Sequence, residues 1–138
     1  DFVTGTPIDL NTYFNNAVDI HHIFPRAWCE SQKLPREKWN SVVNKAPLAA
    51  GTNRYIGGHA PSVYLARVQK DKKLDEPTLN GFLDSHLIPV PQLRSDEFDD
   101  FIRLRANALL GLIEAATGKQ ISGRDSQETV NAFGEALT

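Results

Sequence analysis

The chain contains no methionine, a single cysteine, no internal repeat and no low-complexity stretch. Each absence narrows what it can be. No apolar run approaches the roughly 20 residues that cross a bilayer, which excludes a helical membrane span. With Cys29 alone there is no internal disulfide and no multi-cysteine zinc knuckle. The opening Asp-Phe-Val-Thr lacks the basic start and apolar stretch of a secretory signal. Together with the lone thiol, this points to a reducing, cytoplasmic setting. The missing methionine, absent even at position 1, fits a piece excised from a longer protein.

What is present is 138 residues, 41% hydrophobic and 23% charged, the size and balance of one soluble globular domain. The formal charge of −2 hides an uneven split. Between His21 and Lys73 ten Lys or Arg stand against three acids, a balance of +7, while the remainder carries five basic and fourteen acidic residues, −9. Such a division suggests a cationic working face suited to a polyanion, or an unevenly charged solvated surface.

Hydrophobic patterning divides the chain coarsely. Residues 1–16, with Gly5, Pro7 and several asparagines, read as an extended or looped lead-in. Val18 to Phe24, stopped by Pro25, reads as a strand, and residues 42–48 as a second whose Pro47 places its end at an edge or bulge. The intervening residues 26–40 read as a large loop with a short helix. Thr52-Asn53-Arg54 opens a short helix ended by Gly57-Gly58, and Pro61 suits the first turn of another, from about Ser62 to Lys70. The clearest element comes late. Ser95 is placed to cap a helix with Asp96 and Glu97 in its first turn and Gly118 as its stop. Its apolar residues Phe98, Phe101, Ile102, Leu109, Leu112, Ile113 and Ala116 form one face, which suits packing on the core or on a missing domain. A polar tail with one further short helix follows Gly123.

The chemistry-bearing residues lie in the basic segment. Asp19-Ile20-His21-His22-Ile23-Phe24-Pro25 contains adjacent histidines. On a regular strand these point to opposite faces, so they share a task only where the strand ends or distorts. Asn44 and then Asn53-Arg54 follow at suitable spacing.

Asp-Ile-His-His-Ile-Phe-Pro, Asn-Lys-Ala-Pro-Leu and Thr-Asn-Arg-Tyr-Ile-Gly-Gly-His-Ala-Pro-Ser-Val-Tyr-Leu together resemble an HNH nuclease of the ββα-metal superfamily. More narrowly, they are similar to the C-terminal HNH domain of GmrSD-type modification-dependent restriction and phage-defence proteins. The resemblance is dense over residues 18–68 and weaker through Phe98–Arg105. It implies an α+β fold, with a ββα-metal core of two short antiparallel strands and a helix over about 17–70. A C-terminal helical part over about 75–138 would complete a single domain. It further implies His22 as the general base, His21 and Asn53 as ligands of a divalent metal ion, and Asn44 as the residue pinning the long loop to the second strand. Asp19 would be an extra ligand or a partner behind the ligands. Arg54, His59, Lys45 and Arg26 would face nucleic acid. His59 equally suits a surface or capping role.

An imidazole titrating near ~6.5 accepts a proton from water at neutral pH. One divalent ion offsets the charge that develops on a phosphodiester and its leaving oxygen. A mixed nitrogen and oxygen donor set admits Mg²⁺, the default, or Mn²⁺ and other first-row ions. The expected partner is DNA, with an N-terminal nucleotide-hydrolysing sensor domain in the same polypeptide and no membrane. The competing readings are a non-cleaving nucleic-acid-binding module, an RNA-cleaving HNH enzyme, and a domain with a structural metal. Elsewhere, His86 and Cys29 read as structural, Trp28 and Trp39 as core aromatics or base-stacking platforms, and Lys70, Lys72 and Lys73 as backbone contacts or a solvated helix end.

Overall fold

A computed structural model describes residues 1–15 and 17–138, with Tyr13 described in its backbone only. The architecture is α+β: one two-stranded antiparallel sheet among many helices. The elements run α1 Leu10–Asn15, β1 Asp19–His22, α2 Arg26–Ser31, α3 Arg36–Trp39, a 3-10 turn Val42–Asn44, β2 Lys45–Leu48, α4 Ala50–Ile56 and α5 Pro61–Lys72. There follow α6 Glu76–Asp84, α7 Val90–Arg94, α8 Phe98–Thr117 and α9 Gln127–Phe133. Among the described residues, no helix is long and apolar enough to cross a membrane.

The strands pair Asp19 with Leu48, Ile20 with Pro47, His21 with Ala46 and His22 with Lys45. Pro47 is tolerated because each strand has a free edge. Both strands are shorter than their sequence suggests, for one reason. Beyond His22 the chain keeps bonding, but to a single residue: Ile23 N–H donates to the Asn44 carbonyl (2.8 Å) and Phe24 N–H to its side-chain Oδ1 (2.9 Å). Residues 42–44 meanwhile coil into a 3-10 turn, capped by Ser41 Oγ accepting from Val43 N–H (3.2 Å).

The lead-in holds more structure than expected. Phe2 and Val3 are buried in the core and α1 forms within it, while its last residue, Asn16, lies outside the described residues. Helices α6 and α7 occupy a stretch that no pattern marked individually. Asp75 caps α6 through Thr78 N–H (2.9 Å). The long helix starts later than the Ser95 signal suggests: Ser95 closes α7, and α8 begins at Phe98 with Asp99 and Asp100 in its first turn. Asp96 is turned away at φ +57°, where its carboxylate accepts from Ser62 N–H (2.9 Å) and Ser62 Oγ–H (2.6 Å) at the start of α5.

The core draws on both halves of the chain, joining Ile23, Phe24, Leu48, Ile56 and Tyr64 to Leu79, Leu93, Phe98 and Phe101. Phe24 stands at its centre, with ring centroids 4.9 Å from Phe101, 5.3 Å from Phe98 and 5.1 Å from Trp28. Trp39 is buried and Trp28 packs on the core, so both serve as core aromatics. The buried face of α8 stops at Ala106, short of the expected stripe, since Leu112 and Ile113 are about half exposed at 57% and 49%. Leu109, Leu110 and Ile113 instead line an apolar groove of about 360 Å³ with Val42, Phe133 and Leu137.

Arg105 interrupts the apolar face of α8. It is 5% exposed, has no carboxylate partner among the described residues, and donates to the carbonyls of Val43, Lys45 (2.9 Å) and His86 (3.3 Å). Burial lowers its pKa to about 10.

Candidate nuclease site

A cleft of about 520 Å³ opens where the end of β1 meets α2 and α4. His21 and His22 line it from β1, Pro25, Arg26 and Glu30 from the next turn and helix, and Asn53, Gly57 and Gly58 from α4 and its end. Adjacent histidines reach one cleft because β1 terminates at His22 and the chain bends into Pro25.

Backbone ties made by neighbouring side chains hold this corner in place. Asn44, fully buried, donates from Nδ2 to the carbonyls of Phe24 (3.0 Å) and Trp39 (2.9 Å) while accepting from Phe24 N–H (2.9 Å). One amide thereby fastens both ends of the loop that follows the histidines. Helix α4 lacks a cap of its own, since Ala49 occupies the N-cap. The Asp1 carboxylate anchors this end without capping it, accepting from Ala49 N–H (3.3 Å) and Thr52 Oγ–H (2.8 Å). At the other end Arg67 donates to the carbonyls of Tyr55 and Ile56 and lies 4.7 Å from the Tyr55 ring centroid. Asn53 is therefore carried on a short helix secured at both ends. Its half-buried amide has no hydrogen-bond partner among the described residues and borders the cleft.

His22 is half-buried, with its ring edge-on to Trp39 (centroids 5.4 Å apart, 66°) and Nε2 3.1 Å from Asn40 Oδ1. Burial is the main cause lowering its pKa below the ordinary imidazole value, and the charges of Lys45, His21 and Arg26 act in the same direction. The bond to Asn40 opposes them. The result is an imidazole kept neutral at neutral pH. Arg26 lies 6.0 Å from the Trp39 ring centroid and forms an ion pair with Glu30 (2.7 Å).

The remaining sequence-predicted residues sit apart from this cleft. Asn44 is turned inward to the loop it ties. Asp19 is exposed, its carboxylate accepting from the adjacent Ile20 N–H (2.7 Å), and does not line the cleft. Lys45 stands opposite His22 in the sheet and is half-buried. Arg54 is exposed in the last turn of α4 and His59 is exposed beyond it, with the His59 ring alongside Gly57. Among the described residues no three His, Cys, Asp or Glu side chains converge on a point that could hold a metal ion.

Motif reading passes over two groups. Glu30 contributes the carboxylate of the cleft, and its signal was the Arg-to-Glu spacing of four on a helix. Asn40 reaches His22 from a loop 18 residues later, which no local pattern announces.

No known protein-family model matches the chain, and no solved structure does. An uncharacterized protein of Methanocaldococcus jannaschii is 37% identical over 111 residues, covering 65% of this chain and 19% of that protein. The chain thus spans about a fifth of the length of the relative it matches.

Proposed function

We propose that this chain is a metal-dependent HNH endonuclease domain that hydrolyses DNA phosphodiester bonds, the effector part of a restriction or phage-defence protein in the cytoplasm. The observation that carries the reading is the meeting of His21, His22 and Asn53 at one cleft, from a strand end and a helix arranged β1, β2, α4. That order supports a ββα-metal core. By the same resemblance, the partner is an N-terminal nucleotide-hydrolysing sensor region of the same polypeptide.

The donor chemistry fits a hard or borderline divalent ion. His21 offers an imidazole nitrogen and Asn53 an amide oxygen free of other partners among the described residues, so most ligands would come from water and phosphate. Such an ion, Mg²⁺ by default or Mn²⁺, would supply charge neutralisation at the phosphate and at the leaving oxygen. His22, kept neutral by its surroundings, takes the proton from the water that attacks phosphorus. Arg54, exposed on α4, and Arg26 at the cleft offer cationic contacts to flanking phosphates, and His59, exposed beyond α4, adds an imidazole beside them. Asn44 keeps the loop, and so the direction of His22, in register.

The test is plasmid cleavage with Mg²⁺, with Mn²⁺ and with chelator, comparing the chain with His22→Ala. The expected result is metal-dependent cleavage that falls by about 10²–10⁴-fold in the variant, with DNA binding retained. Cleavage at the original rate by His22→Ala would remove that residue from the mechanism. DNA binding without cleavage under any ion would reduce the chain to a binding module.

A further inference from the structure

The bond between His22 and Asn40 goes beyond the roles implied by the motif, and it rests on the proposed role of His22 as base. Asn40 is exposed, yet its backbone is held on both sides along the chain. It caps the C-terminus of α3, its N–H directed at the carbonyls of Arg36 and Lys38. The carbonyl before it, that of Trp39, is held by Asn44 Nδ2 (2.9 Å). The residue after it, Ser41, caps the 3-10 turn. The neighbouring Trp39 ring closes on His22 edge-on, so the imidazole has a wall on one side and an amide oxygen at Nε2.

A carbonyl oxygen is only an acceptor, so a ring nitrogen facing it must carry the proton. In the neutral ring the other nitrogen is then bare. We infer that Asn40 is a positioning residue for His22: its side-chain oxygen holds Nε2 in the protonated form and leaves Nδ1 as the nitrogen with a free lone pair. Asn44 enters the same device from behind, because the carbonyl it holds is the one preceding Asn40. The arrangement explains why two asparagines four residues apart do different work. Asn44 fastens backbone, and Asn40 orients the base.

Ring nitrogen NMR of His22, recorded with the ring neutral, tests this directly. The native chain is expected to show a protonated Nε2 and a bare Nδ1. Asn40→Ala is expected to lose that preference while keeping its melting temperature. Asn40→Asp, whose carboxylate accepts from the same N–H, is expected to restore it. In the cleavage assay Asn40→Ala is expected to lower kcat about tenfold or more with KM nearly unchanged, since misaligning a proton acceptor affects the transition state rather than binding. A native ring with its proton on Nδ1, or a ring signature indifferent to Asn40→Ala, overturns the inference. If the native chain cleaves nothing while the NMR pattern and its loss in Asn40→Ala are as expected, the positioning stands and the nuclease reading falls.

Discussion

Two asparagines of the motif should separate cleanly when each is replaced by alanine. Asn44→Ala removes three hydrogen bonds from a fully buried amide, to Phe24 N–H, the Phe24 carbonyl and the Trp39 carbonyl. Losing such a bond costs about 1 kcal/mol, or about 1–2 kcal/mol where a buried backbone group is left without a partner. The Phe24 carbonyl keeps only the long contact from Cys29 Sγ (3.5 Å), and the other two groups keep nothing among the described residues. The expected loss is about 3–5 kcal/mol, a large part of the roughly 5–15 kcal/mol that holds a domain folded. For a chain of this size that lowers Tm by about 10–20 °C. Asn53→Ala breaks no such bond, and alanine is the better helix former within α4, so its stability should change by less than about 0.5 kcal/mol. Its cleavage rate should fall instead, with a higher metal requirement. Urea unfolding followed by tryptophan fluorescence measures both, since Trp28 and Trp39 flank the loop that Asn44 ties. An Asn44→Ala loss below about 1 kcal/mol, or a larger loss in Asn53→Ala, would refute the assignment of one asparagine to scaffold and the other to the cleft.

Two further outcomes follow from electrostatics. His86 is half-buried beside Phe2, and burial, the larger cause, lowers its pKa despite the bond to the Phe82 carbonyl (2.9 Å). The unfolded chain, titrating near ~6.5, binds that proton more readily, so the stability linked to neutral His86 is present above this value and is lost as pH falls below it. Urea midpoints compared between about pH 7.5 and 5.5 should therefore decline, and decline less in His86→Gln; an equal decline would place the linkage elsewhere. DNA affinity should fall with salt by about 0.9 log unit per decade for each phosphate contacted, with a handful of contacts from the +7 segment. Reversing charge at Arg54 should weaken binding or cleavage, whereas Asp100→Lys on α8 should not. A flat salt response removes the basic face from the interaction.

The sequence shows the site corner better than its surroundings. Short spacing and turn chemistry marked β1, α4 and α5, because Pro25, Gly57 and Pro61 act locally. The strand ends were overrun because the Asn44 side chain imitates a strand partner, a tertiary bond that looks like strand propensity in sequence. Ser95 carries a cap signature, yet Glu97 stands at the start of α8 with no side-chain cap, and the Asp96 carboxylate is drawn to the start of a helix 34 residues earlier. Asp1 serving α4 and Asn40 serving His22 span 48 or more and 18 residues respectively, beyond the reach of any periodicity.

The guanidinium of Arg105 has a consequence for modularity. The motif residues occupy about a third of the chain, yet the carbonyls on either side of Asn44 end on a cation supplied by α8. Excising residues 17–70 as a minimal catalytic unit would leave those two carbonyls without that cation, on the very stretch that fastens the loop. The histidine cleft and the C-terminal helix would therefore have to be transplanted as one piece, with Arg105 as the seam between them.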